Sequence, residues 1–187
     1  DSWASRGLGD VYKRQHSQDV TFHYGTHLTC SPQLSSNFFS VTPHHRIALP
    51  IKAPKKLKPN FSTRILMIKP YPGINYDNFN LDNVDAILHD LYHSGTACTT
   101  SEYGHNHSLV YFIRRCKTLN IPVFLAPAFK STQFYQSTIE LTHEGAEMIW
   151  NTSIEAAYAK LLLAYGNFEH YEEILIFLND NVAGEQI

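Results

Sequence analysis

Four short apolar runs, the later ones separated by segments of helical periodicity, occupy the last two thirds of the chain and leave few folds open to it. They are Arg64 to Lys69 (RILMIK), Val84 to Leu91 (VDAILHDL), Ile121 to Ala126 (IPVFLA) and Ala146 to Trp150 (AEMIW). Near-continuous apolar runs of this length mark strands covered on both faces, as in a parallel sheet. Between the second and third runs, Leu109, Phe112, Ile113, Cys116 and Leu119 recur at helical spacing while Arg114, Arg115 and Lys117 fall on the other face. After the fourth run, Thr152 and Glu155 have capping-box spacing, and Ile154, Ala157, Tyr158, Leu161, Leu162 and Tyr165 form an apolar stripe. Gly166 stands where a C-cap is expected, and Tyr171 to Leu178 supplies a last amphipathic segment. The pattern predicts an α/β domain, a four-stranded parallel sheet between helices in a Rossmann-like or flavodoxin-like arrangement, over 64–187.

The residues before this domain read differently. Asp1 to Gln15 (DSWASRGLGDVYKRQ) has no usable period and resembles a translated sequencing adapter, so it is set aside from the fold, and it suggests a gene whose true N-terminal part is missing. In 16–50, Asp19 to Leu28 alternates around a Gly25-Thr26 turn signal and Phe38 to Val41 follows, which predicts short antiparallel strands. So few strands cannot bury a core, and they read as the end of another domain. Val20 to Tyr76 holds no acidic residue and seven basic ones. Residues 51–63, with KAPKKLK at Lys52 to Lys58 and prolines on either side, read as a solvated basic linker, because a nucleic-acid contact would bring interleaved aromatics or a wider basic surface.

Composition excludes several classes. With 43% hydrophobic and 17% charged residues the chain is globular in type, and no stretch approaches the roughly 18 apolar residues of a membrane span. No membrane and no nucleic acid is expected as a partner. Three cysteines, Cys30, Cys98 and Cys116, form neither a C-x-x-C pair nor an even framework, which fits reduced thiols and a cytoplasmic protein.

Ligands of open parallel sheets bind beyond the carboxyl ends of strands, at a reversal of strand order, which is expected here beside the loop after the second run. That loop, Tyr92 to Asn106 (YHSGTACTTSEYGHN), carries small hydroxyls at Ser94, Thr96, Thr99, Thr100 and Ser101 around two glycines. The loop after the third run adds Lys130, Ser131 and Thr132, and the two are expected to converge at one edge of the sheet. Hydroxyls and amides beside a lysine suit a small anionic or amide ligand, although surface loops in general contain such residues. His89, Asp90, His93, His105 and His107 raise metal ligation, but no Glu or Cys completes a recognised spacing and His89 is expected to point into or beside the sheet, so no metal is assigned. Cys98 with His93 as base would be a nucleophile pair, but nothing in the sequence orients the two. No G-x-S-x-G, Walker A or G-x-G-x-x-G motif occurs.

Read in order, KPYPGI at Lys69 to Ile74, VDAILHDLYHSGTA at Val84 to Ala97, NIPVFLAP at Asn120 to Pro127 and NTSIEAAYAKLLLAYG at Asn151 to Gly166 resemble the C-terminal domain of the bacterial L-asparaginase (asparaginase/glutaminase) family. The upstream VTFHYGTHLTCSPQLSSNFFSVTPHHRIALP resembles the end of that family's N-terminal domain. The resemblance implies hydrolysis of L-asparagine to L-aspartate and ammonia, with L-glutamine as the alternative substrate and no cofactor. It implies that the nucleophilic threonine and its lysine partner belong to N-terminal motifs that this chain does not contain, so that no catalytic residue is identifiable in it. It further implies a homo-oligomer, dimer or tetramer, in which the C-terminal domain lends polar residues to a neighbouring subunit's active site. His93, Ser94, Gly95 and Thr96 occupy the contributing loop, where the family carries a Gly- and Asn-rich sequence, so Ser94 or Thr96 would replace its Asn contact. Lys130 to Thr138, with Tyr135, falls in the second contributing region. Two other functions fit the same residues: a stand-alone α/β module that binds a small molecule as a regulator, and a related tRNA-dependent amidotransferase subunit.

Overall fold

The computed structural model describes residues 57–92, 95–128, 135–182 and 185–186; the first fifteen residues, both expected antiparallel strands and Lys52 to Lys56 lie outside them. Strands Ile65–Ile68 (β1), Ala86–Asp90 (β2), Val123–Ala128 (β3) and Glu147–Trp150 (β4) form one sheet in the order β1-β2-β3-β4, every pair parallel. Helices Leu109–Thr118 (α1), Gln136–Glu144 (α2), Ile154–Asn167 (α3) and Tyr171–Asn179 (α4) cover it. None of the helices is long and apolar enough to cross a membrane.

Both central strands are buried at every position, which is why β2 and β3 show no alternation in sequence. Their side chains divide by the period of two: Ile87, Val123 and Leu125 face α1 and Leu141 of α2, whereas Ala86, Leu88, Phe124 and Ala126 face α3 and α4. The four-stranded parallel sheet between helices is therefore as the apolar runs predicted. The expected reversal of strand order is not there. Each crossover adds its strand on the same side of the last, and crossovers of one hand then leave on one face, so α1 and α2 share a layer. The opposite face is closed by the last two helices rather than by a crossover.

Helix ends follow local chemistry. α1 stops where Asn120 takes a left-handed conformation (φ 57°) and Ile121 N–H donates to the Cys116 carbonyl at 2.9 Å. Gly145 does the same for α2 at φ 107°. α3 begins one residue later than its capping-box spacing suggested: Ser153 is the N-cap and accepts from Ala156 N–H at 3.2 Å, while Thr152 donates its hydroxyl to the Trp150 carbonyl.

Gly166 is not a C-cap. α3 runs through it to Asn167, and its backbone is not left-handed. The glycine is needed because another stretch of backbone lies on it: a Cβ at Gly166 would sit 2.2 Å from the Asn60 carbonyl oxygen. The same stretch is held by Lys58 N–H to Asn167 Oδ1 (2.7 Å) and Ser62 N–H to the Leu162 carbonyl (2.9 Å), with Leu57 packed into the α3 and α4 core. The last part of the segment read as a solvated linker is thus docked on the domain. In an unencumbered helix Gly→Ala gains about 1 kcal/mol. Gly166→Ala is instead expected to cost about 1–3 kcal/mol in urea unfolding, because the Asn60 backbone must move; a stabilised variant would contradict the docking.

Candidate functional site

The carboxyl edge of the sheet is built from the exits of β1, β2 and β3. After β2, the chain makes a tight turn in which Tyr92 N–H donates to the Thr96 carbonyl (2.8 Å) and Gly95 N–H to the Tyr92 carbonyl (2.7 Å). Gly95 has φ 73°, a conformation that costs a side chain strain, so the glycine makes the turn. A Cβ there would lie 3.8 Å from the Pro127 carbonyl oxygen at the end of β3, and the Gly95 carbonyl accepts from Thr138 Oγ1 of α2 at 3.4 Å. The turn after β2, the exit of β3 and the first turn of α2 therefore meet. Tyr135, exposed, is the N-cap residue of that helix. His93, Ser94 and Lys130 lie outside the described residues, so the expected convergence of Thr96 and Lys130 falls outside them as well; the contact that is described joins Gly95 to Pro127 and Thr138.

Beneath the turn, β2 carries a polar pair inside the core. His89 Nε2 lies 2.9 Å from the Tyr76 hydroxyl, both groups are buried, and the Tyr76 ring stacks on Phe112 with centroids 4.7 Å apart. Burial pushes the imidazole down to about 4 and the phenol far above its usual range, so both are neutral across the physiological range. The rest of the loop is fastened by its own polar groups. Ser108 donates its hydroxyl to the Thr99 carbonyl (2.7 Å), Leu109 N–H donates to the Cys98 carbonyl (2.9 Å), and His107 Nδ1 lies 2.6 Å from the Ile74 carbonyl oxygen. A cleft of about 340 Å3 opens beside them, lined by Tyr71, Tyr92, Tyr103, Cys98 and His107 among others.

His105 and His107, read as a ligand pair if on a strand, sit instead on a single 3-10 turn and face different partners, His105 lying 4.0 Å from the Tyr111 ring. Among the described residues no three His, Cys, Asp or Glu side chains gather as a metal site. Cys98 is half-buried at the cleft, whereas Cys116 is in the core and burial pushes its thiol up to about 12. Thr138, which closes the contact with Gly95, enters the sequence reading only as the end of the second contributing region; a hydroxyl near the start of an otherwise polar helix carries no local signal of the contact.

No protein-family model and no curated protein sequence matches the chain. Solved structures do. The thermostable L-asparaginase from Thermococcus kodakarensis superposes with a TM-score of 0.54 at 19% identity, over 69% of this chain and 39% of that one. L-asparaginase I from Vibrio cholerae O1 biovar eltor strain N16961 superposes with a TM-score of 0.53 at 22% identity, over 70% of this chain and 39% of that one. The chain thus has the fold of part of an L-asparaginase and spans well under half the length of either relative.

Proposed function

We propose that this chain is the C-terminal part of an L-asparaginase-type amidohydrolase, L-asparagine going to L-aspartate and ammonia, and that the turn after β2 reaches the active site of a neighbouring subunit in a homo-oligomer. The observation that carries the reading is the clamped turn: Gly95 held against Pro127 and Thr138 presents Thr96, with Ser94 and His93 beside it in sequence, at the carboxyl edge of an asparaginase-like sheet. A positioned polar turn can orient the substrate's α-amino and carboxylate groups, which is worth rate through orientation rather than bond-making.

Amide hydrolysis also needs an activated nucleophile and oxyanion donors, each supplying several kcal/mol of the barrier. Three hydroxyls at this edge serve structure: Ser108 and Thr138 donate to main-chain carbonyls, and Tyr76 is paired with His89 inside the core. The resemblance to the family implies that the nucleophilic threonine belongs to an N-terminal domain. The purified chain is expected to release no ammonia from asparagine or glutamine above background. In a full-length protein, Thr96→Ala is expected to raise KM for asparagine several-fold with a smaller change in kcat. Turnover by the chain alone that disappears in a Ser94→Ala, Thr96→Ala variant would place the chemistry in this domain and overturn the assignment; asparagine binding without turnover by the chain alone would favour a regulatory module.

A further inference from the structure

At the opposite, amino edge of the sheet a larger cleft of about 450 Å3 lies between the two helix layers. That volume is within the range of small-molecule sites. Its floor is apolar, with Ile113 of α1, Ile121 and Val123 at the entry to β3, and Ile174 of α4. Two opposite charges stand on its walls: Lys117 near the end of α1 and Glu169 between α3 and α4. Neither side chain makes a hydrogen bond or ion pair among the described residues, so they are not joined across the cleft; the carboxylate whose charge Lys117 feels, Glu144, is paired with Arg114. The remaining carboxylate, Asp85, is already taken by the Arg64 guanidinium through Nε at 2.8 Å and a second, shorter bond. Tyr165 lines the same cleft, and its hydroxyl is buried with no partner among the described residues. Burial raises the Tyr165 phenol, with Tyr171 and Asp85 adding to it, so it stays protonated as a donor.

An isolated cation would be repelled by Lys117 and an isolated anion by Glu169, while a molecule bearing both charges around an apolar group satisfies each wall and the floor together. The geometry points to a binding site for a small zwitterion with an apolar body, an α-amino acid of the size of leucine, its carboxylate toward Lys117 and its ammonium toward Glu169. Such a ligand touches α1 on one face of the sheet and α4 on the other, and so ties the two layers together at their open edge.

The test uses the purified chain with leucine as probe, read by saturation-transfer NMR and by the thermal midpoint. Leucine at millimolar concentration is expected to bind and to raise the midpoint. Lys117→Gln and Glu169→Gln, both exposed and with no ion pair among the described residues, should leave folding intact and each weaken binding about tenfold or more, as should removal of one charge from the ligand in N-acetylleucine or isoamylamine. Asparagine, which lacks the apolar body, should bind more weakly than leucine. Absence of leucine binding, equal binding by either variant, or equal binding of isoamylamine or asparagine overturns the proposal. None of these outcomes depends on ammonia release, so it stands or falls apart from the asparaginase reading.

Discussion

Lys160→Met is expected to cost about 3–5 kcal/mol of folding stability, the range found when one partner of a buried ion pair is removed. Lys160 sits on the buried side of α3 at 5% exposure. Its ammonium donates to the Leu178 carbonyl at 2.9 Å and the Asp180 carbonyl at 2.6 Å, and pairs with Glu185 Oε1 at 2.7 Å. The first acceptor lies in the last turn of α4 and the second is its C-cap residue, where carbonyls lack helical partners and the helix dipole is negative, so one cation caps α4 from inside the domain. Glu185 also accepts from Val182 N–H at 3.2 Å, and Gln186 donates to the Leu178 and Asn179 carbonyls, which extends the clasp along the C-terminal segment. Methionine keeps the stem's packing and removes every polar contact, leaving a buried carboxylate and two carbonyls without the ammonium. Since domains of this size hold only about 5–15 kcal/mol in total, the variant should lose a large fraction of its stability. Urea unfolding measures it, and a Lys160→Met, Glu185→Leu double variant should recover much of the loss. A single variant within about 1 kcal/mol of the parent would mean the clasp contributes only what a surface pair does.

Lys160 also shows why some of this domain was legible in sequence and some was not. Strands covered on both faces write themselves as apolar runs, and the stripes of α1, α3 and α4 write themselves as helical periods, because burial acts on every residue of such an element. Lys160 stands between Ala157 and Leu161 on the apolar stripe of α3, yet its partners are 18, 20 and 25 positions away, and only the fold brings them to it. Gly166 carries the same lesson in reverse: a local rule assigned it to a cap, and a contact with Asn60, more than a hundred residues distant, decides it. α2 left no clear stripe because only Thr138 and Leu141 of its nine residues are buried. Strand order has no local signature, and the sheet runs β1-β2-β3-β4 without the expected reversal. At the candidate site, glycine and hydroxyl content drew attention to the loop after β2, but the residue that clamps it, Thr138, is 43 positions from Gly95.

Acid is expected to remove stability through His89 before most carboxylates titrate. The imidazole is wholly buried under the carboxyl edge, with one good hydrogen bond, Nε2 to the Tyr76 hydroxyl; among the described residues Nδ1 has no partner of good geometry, although the Asp90 backbone pulls weakly toward the charged form. Burial dominates and lowers the group to about 4 from an ordinary 6.5. In the unfolded chain His89 binds its proton near pH 6.5, while the folded domain refuses it until about pH 4, so between those limits the unfolded state holds more protons and stability falls as pH falls. Above pH 6.5 both states are neutral and the full stability is present. A separation of this size corresponds to about 3 kcal/mol at its acid limit. The measurement is the unfolding free energy from urea titrations between pH 7 and pH 4, for the parent and for His89→Gln, which keeps a polar group near Tyr76 without titrating. The variant should be less stable at pH 7, where it gives up a fitted ring, yet its profile should be flatter by about 3 kcal/mol across the interval. Parallel profiles would show that other groups set the acid limb and that His89 admits a proton, or water, far more readily than a fully enclosed imidazole can. Because Tyr76 and His89 underlie the turn from Tyr92 to Thr96, the same protonation should loosen that turn first, and amide exchange at Leu91, Tyr92 and Gly95 should accelerate at a higher pH than exchange in β3.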